Sequence, residues 1–355
     1  MKITHVMWNA IYGGAETMLV DIVNKQSERH EITLIVINDL IDQELLDSIS
    51  SQVKIVLIKR KLKSKNPLPV LALNYYILTS KSDIIHFHQD DIIRHLPIRK
   101  LKKNLCLTVH SVEMDAEDVK KYNCLFAISP AVQSRVIERC KVKPILVVNG
   151  INVNRFVQRG KEKDKNYLFN IVLIGRLTPL KGHSLLLEAA RKLIDKHRFN
   201  KFHIDFIGDG DIKNDLLSKI ADLGLDEHIN LLGTRSKKYI QNHLHEYDLL
   251  VQPSLWEGFG LVAVEGMAAK IPVLVSNIDG LKDVARNGEM AFMFQSENID
   301  DLVEKICQIL NMDVSEKKKK CDRAWKYAMN EYDVSRTSQD YLDCYESFLK
   351  KVSIS

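Results

Sequence analysis

Two glutamates, Glu257 and Glu265, are separated by seven residues in the run PSLWEGFGLVAVEGMAA from Pro253 to Ala269, with Gly258 and Gly260 between them. The apolar stretch Asp248 to Gln252 before it reads as a buried strand, so the glycines fall where strand should give way to helix. Such a junction presents backbone N–H groups, and a helix N-terminus carries partial positive charge, so a phosphate is its natural guest. Glu257 then sits on the loop and Glu265 about a turn inside the helix. The two carboxylates could flank one phosphate-bearing ligand, one near its sugar and one near its ribose.

Further upstream, the strand Asn170 to Ile174 runs into GRLTPLKG, Gly175 to Gly182. Arg176 and Lys181 put two cations on a strand-to-helix loop, Arg as a fork donor and Lys as a point charge for phosphate oxygens. Near the start, Lys2 to Trp8 is a short strand, followed by Asn9 to Glu16 and an amphipathic run from Thr17 to Lys25, a βα unit whose Gly13 and Gly14 would let a ligand approach the backbone. His86 and His88 end one strand candidate and His110, in LTVHS, ends another. His86 and His88 share one strand face and His-x-His could be a metal pair, but no third ligand has suitable spacing, so no metal is expected. Asp115, Glu117 and Asp118 read as solvated loop charges, and Gly208 to Gly210 as a turn.

These residues must be carried by a scaffold. Strand candidates recur at Glu31–Ile37, Val53–Ile58, Asp83–His88, Asn104–His110, Cys124–Ser129 and Ile145–Asn149, then at Lys201–Gly208, Ile229–Gly233, Pro272–Ser276 and Ala291–Phe294, with helical or irregular runs between them. That spacing predicts α/β architecture, with parallel sheets covered on both faces and functional residues at the strands' carboxyl ends. A chain of 355 residues exceeds what one core usually fills. Two domains are expected, 1–160 and 161–334, joined by the charged, aperiodic stretch Val157 to Asn166. Val334, Tyr341, Cys344, Tyr345 and Phe348 form an apolar stripe on a terminal helix, about 335–355. The stretch Ser276 to Gly280 reads as a loop near the ligand.

Hydrophobic residues make up 45% and charged residues 27% of the chain, the balance of an ordinary globular protein. The six cysteines show no C-x-x-C spacing, which fits a reduced cytosolic chain. MKITHVMWNA is too short and interrupted for a signal peptide, and no apolar run approaches the roughly 20 residues that span a bilayer. The net charge of +5 is uneven, about +7 over residues 1–160 and about −2 beyond. KRKLKSK, Lys59 to Lys65, abuts the apolar run NPLPVLALNYYILTS. This pair reads either as a solvated loop with a core helix or as a surface for an anionic membrane. Arg99 to Lys103 is a second basic patch. The aromatic and basic interleaving of nucleic-acid binding is missing, and no G-x-G-x-x-G follows the first strand.

The Glu257 to Glu265 stretch resembles the E-x7-E region of retaining glycosyltransferases with the GT-B fold, most closely glycosyltransferase family 4. GGAE at Gly13 to Glu16, His110, NGIN at Asn149 to Asn152 and GRLTPLKG match in family order. The resemblance implies two Rossmann-like domains facing a central cleft. The first would bind the acceptor and the second a nucleotide sugar, and the terminal helix would pack back on the first. It implies catalytic roles for His110, Arg176, Lys181 and Glu257. Gly13, Gly14, Thr234, Gly258, Phe259, Gly260, Leu261 and Glu265 would bind the donor. No metal and no cofactor beyond the nucleotide-sugar co-substrate is implied.

The expected activity is retaining transfer of a hexose or N-acetylhexosamine, from a UDP-sugar first and a GDP-sugar second, to a glycan or lipid-linked acceptor. Bacterial cell-surface polysaccharide synthesis at the inner face of the cell membrane is the expected setting. Alternatives on the same fold are a nucleotide-sugar epimerase or hydrolase and a non-catalytic subunit.

Overall fold

A computed structural model describes residues 1–96, 104–111, 114–160 and 168–354. The basic run Arg99 to Lys103 and most of the expected linker lie outside the described residues. The chain divides into two compact units, Met1–Ile151 with Asp333–Ser355, and Asn152–Tyr332.

In the first unit the order is β1 (Lys2–Met7), α1 (Gly14–Ser27), β2 (Glu31–Asn38), α2 (Gln43–Asp47), β3 (Lys54–Arg60), α3 (Leu68–Thr79), β4 (Ile84–Phe87), β5 (Asn104–Val109), α4 (Ala116–Val119), β6 (Cys124–Ala127), α5 (Pro130–Cys140) and β7 (Ile145–Leu146). The strands form a parallel sheet in the order β3-β2-β1-β4-β5-β6-β7. Central strands covered on both faces must be apolar on both, and Val6, Met7, Leu34, Val36, Ile84, Ile85, Phe87, Leu107 and Phe126 are all buried. Chain order reverses between β1 and β4, so a crevice opens at the carboxyl ends of those two strands.

The second unit runs β8 (Phe169–Ile174), α6 (His183–His197), β9 (Phe202–Ile207), α7 (Lys213–Asp222), β10 (Ile229–Gly233), α8 (Lys237–His243), β11 (Leu249–Gln252), α9 (Leu261–Ala268), β12 (Val273–Ser276), α10 (Asp279–Ala285), β13 (Phe292–Phe294), α11 (Ile299–Asn311) and α12 (Val314–Glu331). Its parallel sheet has the order β10-β9-β8-β11-β12-β13, with the reversal between β8 and β11. Phe169, Ile171, Leu173, Phe206, Leu249, Val251 and Leu274 form its core with Leu186, Leu193 and Ile306 from the covering helices.

The final helix, α13 (Val334–Ile354), belongs to the first unit and packs on α1. Val334, Tyr341 and Tyr345 of its stripe are buried, Cys344 and Phe348 partly so. Buried phenols need partners. Tyr341 Oη lies 2.9 Å from Thr108 Oγ1, and Tyr345 Oη is hydrogen-bonded to His86 Nδ1.

Three local expectations change. The units meet at Ile151–Asn152 and not at 160, because residues 153–160 are tied into the second unit. Val153 and Phe156 are buried, Val157 N donates to Gln241 O (2.9 Å), and Arg159 donates to Asp248 Oδ1 (2.6 Å) and Tyr247 O (2.6 Å). Ser276 to Gly280 is not all loop, since α10 begins at Asp279. Asp118 is no solvated charge: it is buried and paired with Arg94 and Lys121. Asp115 pairs with Arg94 as well and caps α4 through the N–H groups of Glu117 and Asp118.

Candidate functional site

The two motif loops of the second unit leave the two strands that border its chain reversal. Gly175 to Gly182 follows β8 and Pro253 to Gly260 follows β11. The topology therefore brings together side chains 76 residues apart: Lys181 Nζ donates to Glu257 Oε1. That oxygen also accepts from Gln252 Nε2 (2.8 Å) and Ser254 Oγ (3.1 Å). Glu257 Oε2 carries no hydrogen bond among the described residues. An ammonium has three donors, so Lys181 keeps capacity for a second anion while the carboxylate holds it in place.

The loops are locked to each other by backbone. Leu255 N donates to Leu180 O (2.8 Å), and Gly182 passes so close to Pro253 that a Cβ would stand 2.0 Å from the Pro253 carbonyl oxygen. Gly182 has φ +71° and Gly260 φ +102°, both in the left-handed region that a side chain disfavours. Each of these glycines caps a helix without a side-chain partner, Gly182 for α6 and Gly260 for α9. The first-turn N–H groups of Leu261 and Val262 have no acceptor inside α9, which suits an anion. Glu265 lies five residues into α9, half-buried, and Phe259 is buried against the ring of Tyr332 at 5.3 Å. Arg176 is exposed on the same loop as Lys181. Thr234 is exposed beyond β10, the edge strand, two strands away from the reversal.

In the first unit, Gly13 caps α1 with φ −161°, extended backbone that any residue adopts, and a Cβ there would meet only the flexible end of Glu16. His110 follows β5, half-buried, with Nε2 3.2 Å from His88 Nδ1. Burial holds its ring down to about 4, so at neutral pH it is an uncharged imidazole. His86 and His88 are joined by His5 of β1, a residue the sequence reading passed over. The signal for it was a lone polar ring in the apolar strand KITHVM, in register with His86. Nitrogens of His5, His86 and His88 lie within 4.8 Å of one another, close enough to raise the question of a metal. Every one of those ring nitrogens already has a hydrogen-bond partner: His88 and Gln26 for His5, Tyr345 and Thr108 for His86, His5 and His110 for His88.

Two parallel-sheet units, each with a chain reversal and the second with charged loops there, define a GT-B type of architecture. The Glycosyltransferase Family 4 model matches residues 12–155 and the Glycosyl transferases group 1 model matches residues 154–329, so that together they run through both units. The chain belongs to this family of glycosyltransferases. An uncharacterized glycosyltransferase of Methanocaldococcus jannaschii is 29% identical over 53% of this chain and 49% of its own length. The UDP-Gal:alpha-D-GlcNAc-diphosphoundecaprenol alpha-1,3-galactosyltransferase of Escherichia coli is 29% identical over 47% of this chain and 45% of its own. The chain thus spans about half the length of these curated relatives. Among solved structures, Anabaena HepE in complex with UDP and glucose has the same fold, with a TM-score of 0.81, 20% identity, and coverage of 98% of this chain and 100% of that one.

Proposed function

We propose that this protein is a retaining glycosyltransferase that moves a hexose or N-acetylhexosamine from a UDP-sugar to a glycan or lipid-linked acceptor. The observation that carries this is the meeting of Lys181 with Glu257 beside the uncapped start of α9. Arg176 and Lys181 act on the donor diphosphate, holding the charge that grows as the glycosidic bond breaks. Glu257 orients the sugar through Oε2, Glu265 takes the ribose hydroxyls, and the N–H groups from Gly258 to Leu261 hold the donor. His110, with the Gly13–Gly14 backbone, contacts the sugar. The acceptor attacks from the face the leaving group departs, and a donor phosphate oxygen takes its proton. No metal enters this scheme. Support for a UDP donor and a lipid-linked acceptor comes from the activity for which the Escherichia coli relative is named.

The test is release of nucleotide and transfer of label from a panel of UDP-, GDP- and TDP-sugars to undecaprenyl-diphosphate-linked and soluble glycans, with and without EDTA. Transfer from a single nucleotide class, unaffected by EDTA, is the expected result. Sugar released or isomerised without an acceptor would instead establish the hydrolase or epimerase alternative.

We propose further that the protein works on the cytoplasmic face of an anionic membrane. No helix among the described residues is long and apolar enough to cross one. Of α3, only Leu73 and Ile77 are buried, while Leu68, Leu71 and Tyr75 are each at least 60% exposed. Lys59, Lys61, Lys63 and Lys65 are exposed just before it, and each is worth about 1 kcal/mol at an anionic surface. Co-sedimentation with phosphatidylglycerol vesicles, lost on reversing the four lysines to glutamate and absent with phosphatidylcholine, is expected.

A further inference from the structure

Behind His110 the first unit buries a line of side chains that the transfer chemistry leaves unused. His110 Nε2 is 3.2 Å from His88 Nδ1, His88 Nε2 is 3.1 Å from His5 Nδ1, and His5 Nε2 is 2.8 Å from Gln26 Oε1. Gln26, His5 and His88 are all buried. His86 lies beside the line, its ring tilted by 30° to that of His88 with centroids 4.5 Å apart, but both its nitrogens are taken by Tyr345 and Thr108.

A neutral imidazole has one N–H and one lone pair, so such a line runs in one of two directions only. Burial keeps all three rings uncharged near neutral pH, His5 and His110 at about 4 and His88 well below its ordinary value. With the amide oxygen of Gln26 toward His5 and the amide nitrogen buried without a hydrogen bond among the described residues, His5 donates through Nε2. Its Nδ1 then accepts from His88 Nε2–H, and His88 Nδ1 accepts from His110 Nε2–H. His110 keeps a bare Nδ1, which carries no hydrogen bond among the described residues. Turning the amide over would move all three protons to the other nitrogen and make His110 an Nδ1–H donor.

We infer that Gln26 is a positioning residue which, through His5 and His88, fixes His110 as the Nε2–H tautomer with a lone pair on Nδ1. The chemistry selected at Nδ1 is then a hydroxyl that donates, an O–H of the transferred sugar, and not a phosphate oxygen. A lone pair there also complements positive charge at the anomeric centre, whereas an N–H would oppose it. His110 is accordingly no general acid. The assignment of the sugar as the partner rests on the proposed function; the tautomer does not.

The test is nitrogen NMR of the full chain labelled with 15N in its histidine rings, without substrate, at pH 7.5. Protonated and bare ring nitrogens resonate far apart, and His5, His88 and His110 are expected each to show a protonated Nε2 and a bare Nδ1. In Gln26→Met, of similar volume but without an amide, the His110 signals should move to an average of both forms. There kcat should fall in proportion to the share of His110 still in the Nε2–H form, about twofold for an even mixture, with the donor KM nearly unchanged, because a donor and an acceptor tautomer bind the ground state alike but not the transition state. A His110 proton on Nδ1 in the unaltered chain overturns the inference whether or not the variant folds. So does one zinc per chain with His5 and His88 nitrogens shifted by coordination. Full transfer by His110→Ala would instead sink the sugar contact, and the ring protonation of His5 and His88 would still report on the line itself.

Discussion

Lys181 and Glu257 neutralise each other across the two loops that leave β8 and β11, and Glu257 holds two further donors, Gln252 and Ser254, on the same oxygen. Because those donors remain when the lysine is gone, Lys181→Ala should leave the carboxylate solvated by its neighbours and the fold nearly intact. Transfer should fall by about a hundredfold to a thousandfold, the usual loss for one group aimed at developing charge. Nucleotide release in a transfer assay, with thermal unfolding of the same sample, checks both halves. Near-normal transfer would remove Lys181 from the diphosphate.

Gly182→Ala puts a methyl group where the Pro253 carbonyl oxygen stands and demands φ +71° of a residue that avoids it. The two loops must separate, so stability should drop by at least about 2 kcal/mol and nucleotide binding with it. Gly13→Ala meets only the far end of the Glu16 side chain, which can rotate away, and should be near neutral for folding. Calorimetric unfolding and titration with UDP separate the pair.

Acid should loosen the first unit before the second. Burial holds His5 and His110 at about 4 and His86 and His88 well below the ordinary value, whereas the second unit has His183 at about 4. These pKa values lie below those of the unfolded chain. Their contribution is therefore full above about pH 6.5 and is lost as pH falls toward 4, where the unfolded state takes up the protons. His5 alone amounts to roughly 3 kcal/mol over that window. Hydrogen exchange at pH 7.5, 5.5 and 4.5 should show β1, β4 and β5 losing protection ahead of β8 and β11; equal loss would contradict the neutral, buried histidines.

Tyr345→Phe removes the hydroxyl that meets His86 Nδ1 inside the core. The nitrogen is left without its partner, at a cost of about 1 to 3 kcal/mol. Tyr345→Ala adds a cavity and should cost about 3 to 5 kcal/mol. Urea unfolding followed by circular dichroism measures the two steps.

The strands and both charged loops were legible because their signals are local: apolar runs of four to six residues, each ending in glycine or a polar motif. In β10 both ends, Ile229 and Gly233, are legible in the sequence. What escaped notice was long-range. Asp118 looks like a loop charge until Arg94 is folded over it, and His5 is one more residue in a strand until β4 lies beside it. Residues 157–160 look like the start of a linker because the backbone partners of Val157 and Arg159, Gln241 and Ala269, lie far along the chain. The helix α3 was ambiguous between core and surface because its apolar residues run all round it, and only the folded chain shows that Leu73 and Ile77 face inward.

The place of α13 sets an order of assembly. The second unit is one unbroken stretch, Asn152 to Tyr332, whereas the first needs Asp333 to Ser355 to cover His86, Thr108 and Phe126. On the ribosome the chain emerges from its amino end, and domains generally close as they appear. Here the first unit must wait uncovered through the synthesis of the second, until α13 leaves the exit tunnel and closes over it.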